Sequence, residues 1–264
     1  DVNNDGHIDL LTTEIVHWDV GSSSDPSELL FNDGGVDVVF ARPGNEQTGL
    51  LREHIPGWND GDMSAAVFDF DNDGWPDVYI GASDYPGNRG LLFHQRPALP
   101  GTFEPVPVED SFEHNRSHGV VAADLDRDGD LDMVVGHSHA RCDPVQPNDC
   151  YPTQAIRVFR NVLGQDGNWL QLDLEGGEGC NRSAIGARVT VAAGGITQTQ
   201  EVDGGHGHYG IQREHVLHFG LGTACEAEVT VRWPDGPLTT ETFTLPAGHR
   251  FHWRQGEVPG AVTP

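Results

Sequence analysis

The fold of this chain is decided by residues 117–137, which read SHGVVAADLDRDGDLDMVVGH. An apolar run at 120–123 is followed by nine residues with Asp at positions one, three and five, Gly at six and Asp at nine. A second apolar run follows at 133–135. Short apolar runs that are bounded by Gly and Asp and rich in β-branched residues are typical of buried strands. The stretch therefore predicts a strand, a tight acidic loop and a second strand.

The acidic segment is one of three copies of the pattern D-x-[D/N]-x-D-G-x-x-D, at residues 1–9, 69–77 and 124–132. Calcium takes six to eight oxygen ligands at about 2.3–2.6 Å, and one of them is often a backbone carbonyl. Oxygen side chains at alternate positions, with a Gly that allows a sharp turn, supply such a set, so we expect up to three Ca²⁺ ions. The predicted ligands are Asp1, Asn3, Asp5, His7 and Asp9 in the first loop, Asp69, Asp71, Asp73, Trp75 and Asp77 in the second, and Asp124, Asp126, Asp128, Asp130 and Asp132 in the third, with His7, Trp75 and Asp130 acting through their backbone carbonyls.

The residues around the loops exclude an EF-hand, which has a Glu at position twelve and a helix on each side. Position twelve is Thr12, Ile80 or Val135, so that ligand is absent from all three copies. We expect the Asp at position nine to close the loop instead. In the first copy, Asn3 replaces an Asp, which lowers the ligand charge and should weaken binding.

The loops begin at residues 1, 69 and 124, so they are 68 and 55 residues apart. Repeats of this length that carry several short strands are typical of propeller blades. Further strand candidates lie between the loops, namely ELLFN at 28–32, GLLF at 90–93 and GTF at 101–103. With these segments, residues 1–162 resemble the FG-GAP/VCBS repeats of integrin-type β-propellers. The resemblance implies an all-β fold with about three calcium-binding blades that form a partial propeller.

Three blades are too few for a ring, because a closed propeller contains four to eight. The chain begins on the first ligand of the first loop, with no initiator Met or signal peptide before it. We therefore expect an N-terminally truncated array, with further blades upstream in the parent protein. In this chain the array should have an open sheet edge.

From about residue 168 the sequence becomes rich in Gly and Thr and alternates with a period of two. Ala187, Val189 and Val191 share one face of a predicted strand, and residues 229–233 repeat the pattern. Such alternation indicates antiparallel strands with one buried face. The C-terminal part is therefore predicted to be a small antiparallel β-sandwich.

The C-terminal part also resembles the ASPIC/UnbV domain, which follows FG-GAP/VCBS repeats in secreted proteins. The blocks that carry the resemblance are Asn168-Trp169-Leu170, Asn181-Arg182 with Ile185-Gly186-Ala187-Arg188-Val189, His218-Phe219-Gly220-Leu221-Gly222, and Trp233-Pro234-Asp235-Gly236. The predicted domain spans residues 168–255. Two histidines within GGHGHY, residues 204–209, depart from the pattern of the family.

The chain of 264 residues carries 15 basic and 41 acidic side chains, which is a formal net charge of −26. A surface of this sign repels phosphate backbones and anionic lipids, which argues against nucleic-acid and membrane-surface partners. No apolar run approaches the ~20 residues of a membrane-spanning helix. We expect an extracellular protein or glycan as the partner.

Four cysteines predict one disulfide in each part of the chain, Cys142–Cys150 and Cys180–Cys225. Neither pair has the C-x-x-C spacing of a zinc or redox site. Disulfides form in oxidising compartments, and calcium sites of low affinity suit the calcium concentration outside cells. We therefore expect a secreted, periplasmic or cell-surface protein, and four reduced thiols are the alternative.

Fourteen histidines raise the alternative of a transition-metal site, since imidazole suits Zn, Cu or Ni. His137 and His139 follow a predicted strand two residues apart, which would place both rings on one face. His206 and His208 repeat this spacing. Because no third ligand is assignable, a His-ligated zinc or copper protein, or enzyme, is retained only as an alternative.

Catalytic motifs are absent from the sequence, which contains no G-x-S-x-G elbow, no H-E-x-x-H pair and no P-loop. Carboxylates held by a divalent cation stay ionised and are poor acid–base catalysts. We therefore predict a non-enzymatic, calcium-stabilised scaffold of the adhesion type. A second alternative is a carbohydrate-binding accessory module, since four aromatic residues lie in or beside the loops between the blades, namely Trp18, Trp58, Trp75 and Tyr85.

Overall fold

The computed structural model describes residues 1–16, 26–52, 60–85, 88–107, 114–139, 142, 150–153, 155–164, 166–205 and 207–262. Within this part of the chain, helical structure is confined to one α-turn, α1 (Asn45–Thr48), and a 3₁₀ turn at His208–Gly210. The regular structure is otherwise β, so the all-β prediction is confirmed. Among these residues, no helix has the length and apolar composition needed to cross a membrane.

The described residues of the N-terminal part form three small antiparallel sheets that follow one another, and each corresponds to one blade. The first blade contains, in order of pairing, β1 (Leu10–Thr12), β3 (Glu28–Asn32) and β4 (Phe40–Ala41). The second contains β6 (Ala65–Phe68), β7 (Asp77–Ile80), β8 (Leu91–Gln95) and β9 (Phe103–Pro105), and the third contains β10 (Ser117–Ala123), β11 (Asp132–His137) and β12 (Ile156–Phe159). A separate antiparallel pair is formed by β2 (Ile15–Val16) and β5 (Asp60–Gly61).

The acidic loops occupy the same place in every blade. The second loop joins β6 to β7, and the third joins β10 to β11, so the predicted strand–loop–strand unit is present. The first loop precedes β1, which is therefore the counterpart of β7 and β11. None of the described sheets closes into a ring, which agrees with the predicted partial propeller.

The blades pack face to face, and β7 in the middle blade is buried on both sides. Successive side chains of a strand point to opposite faces. Val78 and Ile80 accordingly pack with Leu29 of the first blade, whereas Tyr79 packs with Val120 of the third. The blades are thus joined by two apolar layers, one on each side of the second sheet.

The described residues of the C-terminal part form two four-stranded sheets. The strands of one sheet, in order of pairing, are β16 (Leu217–Gly222), β13 (Asn168–Glu175), β19 (His249–Arg254) and β20 (Gly260–Val262). Those of the other are β15 (Ile196–Glu201), β14 (Arg188–Ala193), β17 (Glu226–Arg232) and β18 (Thr240–Pro246). We call the two sheets together the sandwich.

The core of the sandwich follows the predicted alternation, since Val189, Val191 and Val229 are fully buried. At its centre, the indoles of Trp233 and Trp253 meet edge to face, with ring centroids 6.2 Å apart. The structure differs from the prediction in one respect, because β13 and β19 pair in parallel. A parallel pair needs a long crossover connection, and here the whole second sheet lies between the two strands in the chain.

The predicted disulfides have different outcomes. Cys142 and Cys150 are bonded, as predicted. Cys180 and Cys225 are both free thiols, so the predicted second disulfide is not formed.

The two free thiols lie at opposite ends of β13. A Cβ atom on Gly176, which directly follows β13, would lie 2.8 Å from Sγ of Cys180. Cys225 follows the strand β16, whose last residue Gly222 pairs with Asn168 at the start of β13. An eight-residue strand is about 25 Å long, whereas bonded cysteines have Cα atoms about 4.4–6.8 Å apart.

Candidate metal centres at the acidic loops

The three acidic loops share one backbone conformation. Position four is left-handed in every copy, with φ of 57° at Asn4, 59° at Asn72 and 62° at Arg127. The Gly at position six is also left-handed, with φ of 88°, 91° and 94° in the three loops. This region is unfavourable for most residues other than Gly and Asn. The motif therefore forms the same turn three times.

Backbone N–H groups of each loop donate to the carboxylates at positions one and five. In the second loop, Asp69 accepts from the N–H of Gly74 at 2.7 Å, and Asp73 accepts from that of Trp75 at 2.8 Å. The first and third loops contain the same two bonds, with lengths from 2.9 to 3.1 Å. These bonds hold two of the predicted ligand side chains against the turn.

The Asp at position nine connects each loop to a neighbouring strand of its blade or, in the third blade, to a residue that closely follows that strand. In the second loop, Asp77 accepts from the N–H of Phe70 at 3.0 Å and from that of Gln95 in β8 at 2.8 Å. The equivalent donors are Val2 and Asn32 to Asp9, and Leu125 and Asn161 to Asp132. Sequence reasoning missed this second role, although each strand that supplies a donor runs into an Asn or Gln. The role of the same Asp as a metal ligand stays a prediction.

Carboxylates gather in the second and third loops. Among the described residues, the groups of three carboxylates with donor atoms within 4.8 Å of one another are Asp69, Asp71 and Asp77 in the second loop, and Asp124, Asp126 and Asp128 in the third. One carboxylate oxygen in each of the three loops is buried without a hydrogen-bond partner among the described residues, namely Oδ1 of Asp1, Asp71 and Asp124. A buried carboxylate oxygen is favourable only when a donor or a cation contacts it. The side chains present therefore fit a bound cation.

Burial raises the pKa of Asp69, Asp73 and Asp77 in the second loop. The pKa of Asp69 is well above its usual range because of burial, followed by the charges of Asp73 and Asp71. Burial and the charge of Asp69 raise the pKa of Asp77 in the same way, and burial and Asp71 raise that of Asp73 to about 6. A raised carboxyl pKa means that the charged form is unfavourable. A divalent cation would therefore stabilise the charged carboxylates of this loop most.

Asn32, Gln95 and Asn161 donate a backbone N–H to the Asp at position nine, and the residue before each of them differs between the loops. In the third loop, Arg160 pairs with two carboxylates, and its nitrogens lie 2.7 Å from Asp126 and 3.0 Å from Asp128. In the second loop, this position is His94, whose Nε2 lies 3.2 Å from Oδ2 of Asp71. In the first loop it is Phe31. The third loop thus has a cationic partner within the chain, although that pair is largely exposed.

The loops are hydrogen-bonded to one another in series. The side-chain amide of Asn4 donates to the carbonyl of Gly74 at 3.0 Å, and that of Asn72 donates to the carbonyl of Gly129 at 3.2 Å. Each bond joins position four of one loop to position six of the next. The signal in the sequence was an Asn at position four of the first two loops, where the third has Arg127.

A buried hydrogen-bond network joins the second and third loops to the sandwich. His218 donates through Nε2 to Oδ1 of Asn72 at 2.7 Å, because the amide nitrogen of Asn72 already donates to Gly129. Nδ1 of His218 then accepts from Gln171 at 3.3 Å, and Gln171 also donates to Asp124 at 2.8 Å. Burial lowers the pKa of His218 to about 3, so the ring is neutral, as this bonding requires.

Two glycines allow the loops and the sandwich to approach closely. A Cβ atom on Gly129 would lie 1.8 Å from Nε1 of Trp169, and a Cβ atom on Gly220 would lie 2.0 Å from a carboxylate oxygen of Asp69. In the first loop, the carbonyl of Gly6 accepts a hydrogen bond from the sandwich residue Arg188. All three acidic loops therefore contact the sandwich, which sequence reasoning did not predict.

The remaining residues that the sequence singled out have varied positions. Of the first predicted histidine pair, His137 is buried and His139 is exposed. His208 is exposed, and its predicted partner His206 lies outside the described residues. Of the four aromatic residues, Trp75 and Tyr85 are partly buried, and Trp18 and Trp58 lie outside the described residues.

Comparison with known proteins agrees with this geometry. The model of the FG-GAP-like repeat matches residues 1–80 and again 69–135, which together are about half of the chain. The chain belongs to the FG-GAP-like repeat family. The model described as ASPIC and UnbV matches residues 177–259 of this FG-GAP-like chain. Both resemblances that the sequence motifs indicated are therefore confirmed.

Three curated relatives of this FG-GAP-like chain are named cartilage acidic protein 1. The protein of Xenopus tropicalis is 32% identical over 181 residues, that of Mus musculus 31% over 181, and that of Homo sapiens 31% over 179. These alignments cover 65–66% of the chain and 25–26% of the relatives. The chain thus spans about a quarter of the length of the curated relatives it matches. The alignment with a crystal structure of a protein from Bacteroides uniformis ATCC 8492 covers 74% of the chain and 86% of the chain in that structure, at 14% identity and a TM-score of 0.19.

Proposed function

We propose that this FG-GAP-like chain is part of a non-enzymatic, calcium-binding extracellular scaffold of the adhesion type. The observation that carries the proposal is the arrangement of three carboxylates with donor atoms within 4.8 Å in each of two loops of identical backbone shape. Oxygen sets of this kind bind hard cations such as Ca²⁺. The buried oxygens of Asp1, Asp71 and Asp124, which have no donor in the described part of the chain, support a cation in all three loops.

The role proposed for the ions is structural. Each ion would neutralise a loop that leads into a strand of its blade. Because the same loops contact the sandwich through Asn72, Asp124 and Gly6, the ions would also hold the blades and the sandwich in one orientation. With free calcium at about 100 times Kd, one site stabilises the folded state by about 2.7 kcal/mol. This is a large share of the total stability of about 5–15 kcal/mol.

Two observations support an extracellular setting. The bond between Cys142 and Cys150 is favoured in an oxidising compartment. The curated relatives carry a name that places an acidic protein in cartilage. Outside cells, calcium would fill sites with Kd of about 10⁻⁴–10⁻³ M. The rigid blades would then present their connecting loops to a protein or glycan partner.

Calcium titration of the chelator-treated chain by calorimetry tests this proposal. We expect up to three ions, weaker binding and a lower melting temperature in millimolar calcium for Asp128→Ala, and unchanged binding for Asp37→Ala. Asp37 is a matched control because it is an exposed carboxylate outside the loops. A chain that binds no calcium at millimolar concentration, or an Asp128→Ala variant with an unchanged melting temperature, would contradict the proposal.

The class of partner is tested separately. A glycan array probed with the calcium-loaded chain should show binding that is lost after chelation if the partner is a glycan. An array without signal, together with calcium-dependent capture of an extracellular protein, would assign a protein partner to the scaffold.

A further inference from the structure

A second cluster of titratable side chains lies at the other end of the third blade. Ser117 and His137 pair where β10 begins and β11 ends, whereas the acidic loop joins the opposite ends of the same strands. The seven residues of β10 separate the two ends by about 20 Å. The cluster, which comprises His114, His137 and Tyr151, is therefore distinct from the acidic loops.

His114 is fully buried, with 0% of its surface exposed. Neither of its ring nitrogens has a hydrogen-bond partner in the described part of the structure. Burial, the neighbouring His137 and the charge of Arg157 lower the pKa of His114 to about 4, so the ring is neutral near pH 7. A neutral imidazole offers one donor and one lone pair, and buried polar atoms are nearly always paired. The environment of His114 therefore points to a ligand.

His137 also has a ring nitrogen that is buried without a hydrogen-bond partner among the described residues. Its Nε2 lies 2.8 Å from the carbonyl oxygen of Thr153. Because a carbonyl oxygen can only accept, Nε2 carries the hydrogen. In the neutral ring, Nδ1 then holds a lone pair, and it is buried without a donor among the described residues. Histidines that bind metals usually donate their other N–H to a carbonyl or carboxylate in this way.

The two imidazoles are close and are held by aromatic neighbours. Their ring centroids lie 5.4 Å apart, with an angle of 55° between the planes. The ring of Tyr151 contacts both, at 5.4 Å from His114 and 4.4 Å from His137, and Phe159 meets His114 edge-on at 5.6 Å. The disulfide at Cys150 directly precedes Tyr151 and restrains the segment that carries it.

We propose that His114 and His137 bind a transition-metal ion of the Zn²⁺, Cu²⁺ or Ni²⁺ class, through one ring nitrogen each. Imidazole is a preferred ligand of these ions, whereas Ca²⁺ takes oxygen ligands. The partner of His137 is thus His114 and not His139, which is exposed. Two protein ligands leave coordination positions for water or for a group of a bound partner.

Metal titration in excess Ca²⁺ tests this site, because the excess Ca²⁺ keeps the acidic loops occupied. The intact chain is titrated by calorimetry with Zn²⁺ and, separately, with Cu²⁺. We expect one ion per chain in each case. The electron paramagnetic resonance spectrum of the Cu²⁺ form should show coupling to two imidazole nitrogens. A spectrum without two nitrogen couplings, or a chain that binds neither ion because a water molecule bridges the two rings, would overturn the proposal.

Three variants identify the ligands. His114→Phe and His137→Phe keep a ring but remove the nitrogens, and each should weaken Zn²⁺ binding by about 100-fold or more, since even loss of an outer partner costs about 10–100-fold. His139→Ala, an exposed imidazole two residues from His137, should bind Zn²⁺ as the unmodified chain does. Unchanged Ca²⁺ binding by the variants would show that they fold. Should both Phe variants fail to fold, the copper spectrum of the unmodified chain decides. Zn²⁺ binding that survives in His114→Phe, or that disappears in His139→Ala, would overturn the assignment.

Discussion

The blades and the sandwich are stabilised by different interactions. The described part of the sandwich contains one cluster of eighteen buried apolar side chains, whereas the two layers between the blades contain seven each. The blades also bury carboxylates, including Asp69 and Asp77, which are 7% and 0% exposed. Apolar burial is favourable without a ligand, but like charges buried close together need a counter-ion. The stability of the blades should therefore depend on calcium, and that of the sandwich should not.

Removal of calcium should have the largest effect. If three sites are filled at about 100 times Kd, chelation should lower the free energy of unfolding of the blades by roughly 8 kcal/mol, because each site contributes about 2.7 kcal/mol. Hydrogen exchange measured by mass spectrometry should then show loss of protection in peptides from residues 60–137. Peptides from residues 168–262 should keep their protection. Equal loss of protection in both regions would contradict the prediction that only the blades depend on calcium for their stability.

Gly129→Ala should weaken the contact between the third blade and the sandwich. The new Cβ atom would meet the indole of Trp169 at 1.8 Å, and Gly129 has a φ of +94°. A left-handed non-Gly residue costs about 1–2 kcal/mol, and overpacking costs about 1–3 kcal/mol more. We therefore expect urea unfolding to show a loss of about 3 kcal/mol.

Gly136→Ala, at a position without a left-handed φ, is the control for this substitution. Gly136 lies in the same blade, and a Cβ atom there would have no neighbour within 4 Å. This variant should unfold close to the unmodified chain. Similar losses in the two variants would show that the contact with Trp169 does not matter for stability.

The smallest effect concerns pH at the buried network. The pKa of His218 is about 3 in the folded state, and an unfolded histidine has a pKa of about 6.5. Between these values the unfolded state binds more protons, so the contribution of His218 is fully present above pH 6.5 and decreases as the pH falls. Stability at pH 5 should be about 2 kcal/mol lower than at pH 7 because of this residue.

The variant His218→Gln, measured by urea unfolding at pH 7 and pH 5, isolates this contribution. Between pH 7 and pH 5, this variant should lose about 2 kcal/mol less stability than the unmodified chain does. His139→Gln, which removes an exposed imidazole, is the control. His114, with a pKa of about 4, adds a dependence of the same sign. The comparison is therefore between variants, and equal dependence in His218→Gln and the unmodified chain would contradict the role of His218.

Sequence reasoning was most successful where a feature depends on neighbouring residues. The alternation at Val189 and Val191 predicted a buried strand face because successive side chains in a strand point to opposite sides. It was least successful for the second disulfide. Cys180 and Cys225 belong to one domain, but the spacing of cysteines in the chain contains no information about which end of a sheet each one reaches.

Local sequence was therefore sufficient for the three acidic turns, because each consists of nine consecutive residues whose Gly and Asn or Asp preferences define the backbone. Contacts between residues that are far apart in the sequence could be identified only from the tertiary structure. Asn72 contacts His218, and His114 contacts His137, only because strands from separate segments pair and pack in one particular arrangement. Such pairings are determined by long-range packing of buried faces, and a short stretch of sequence does not specify its partner.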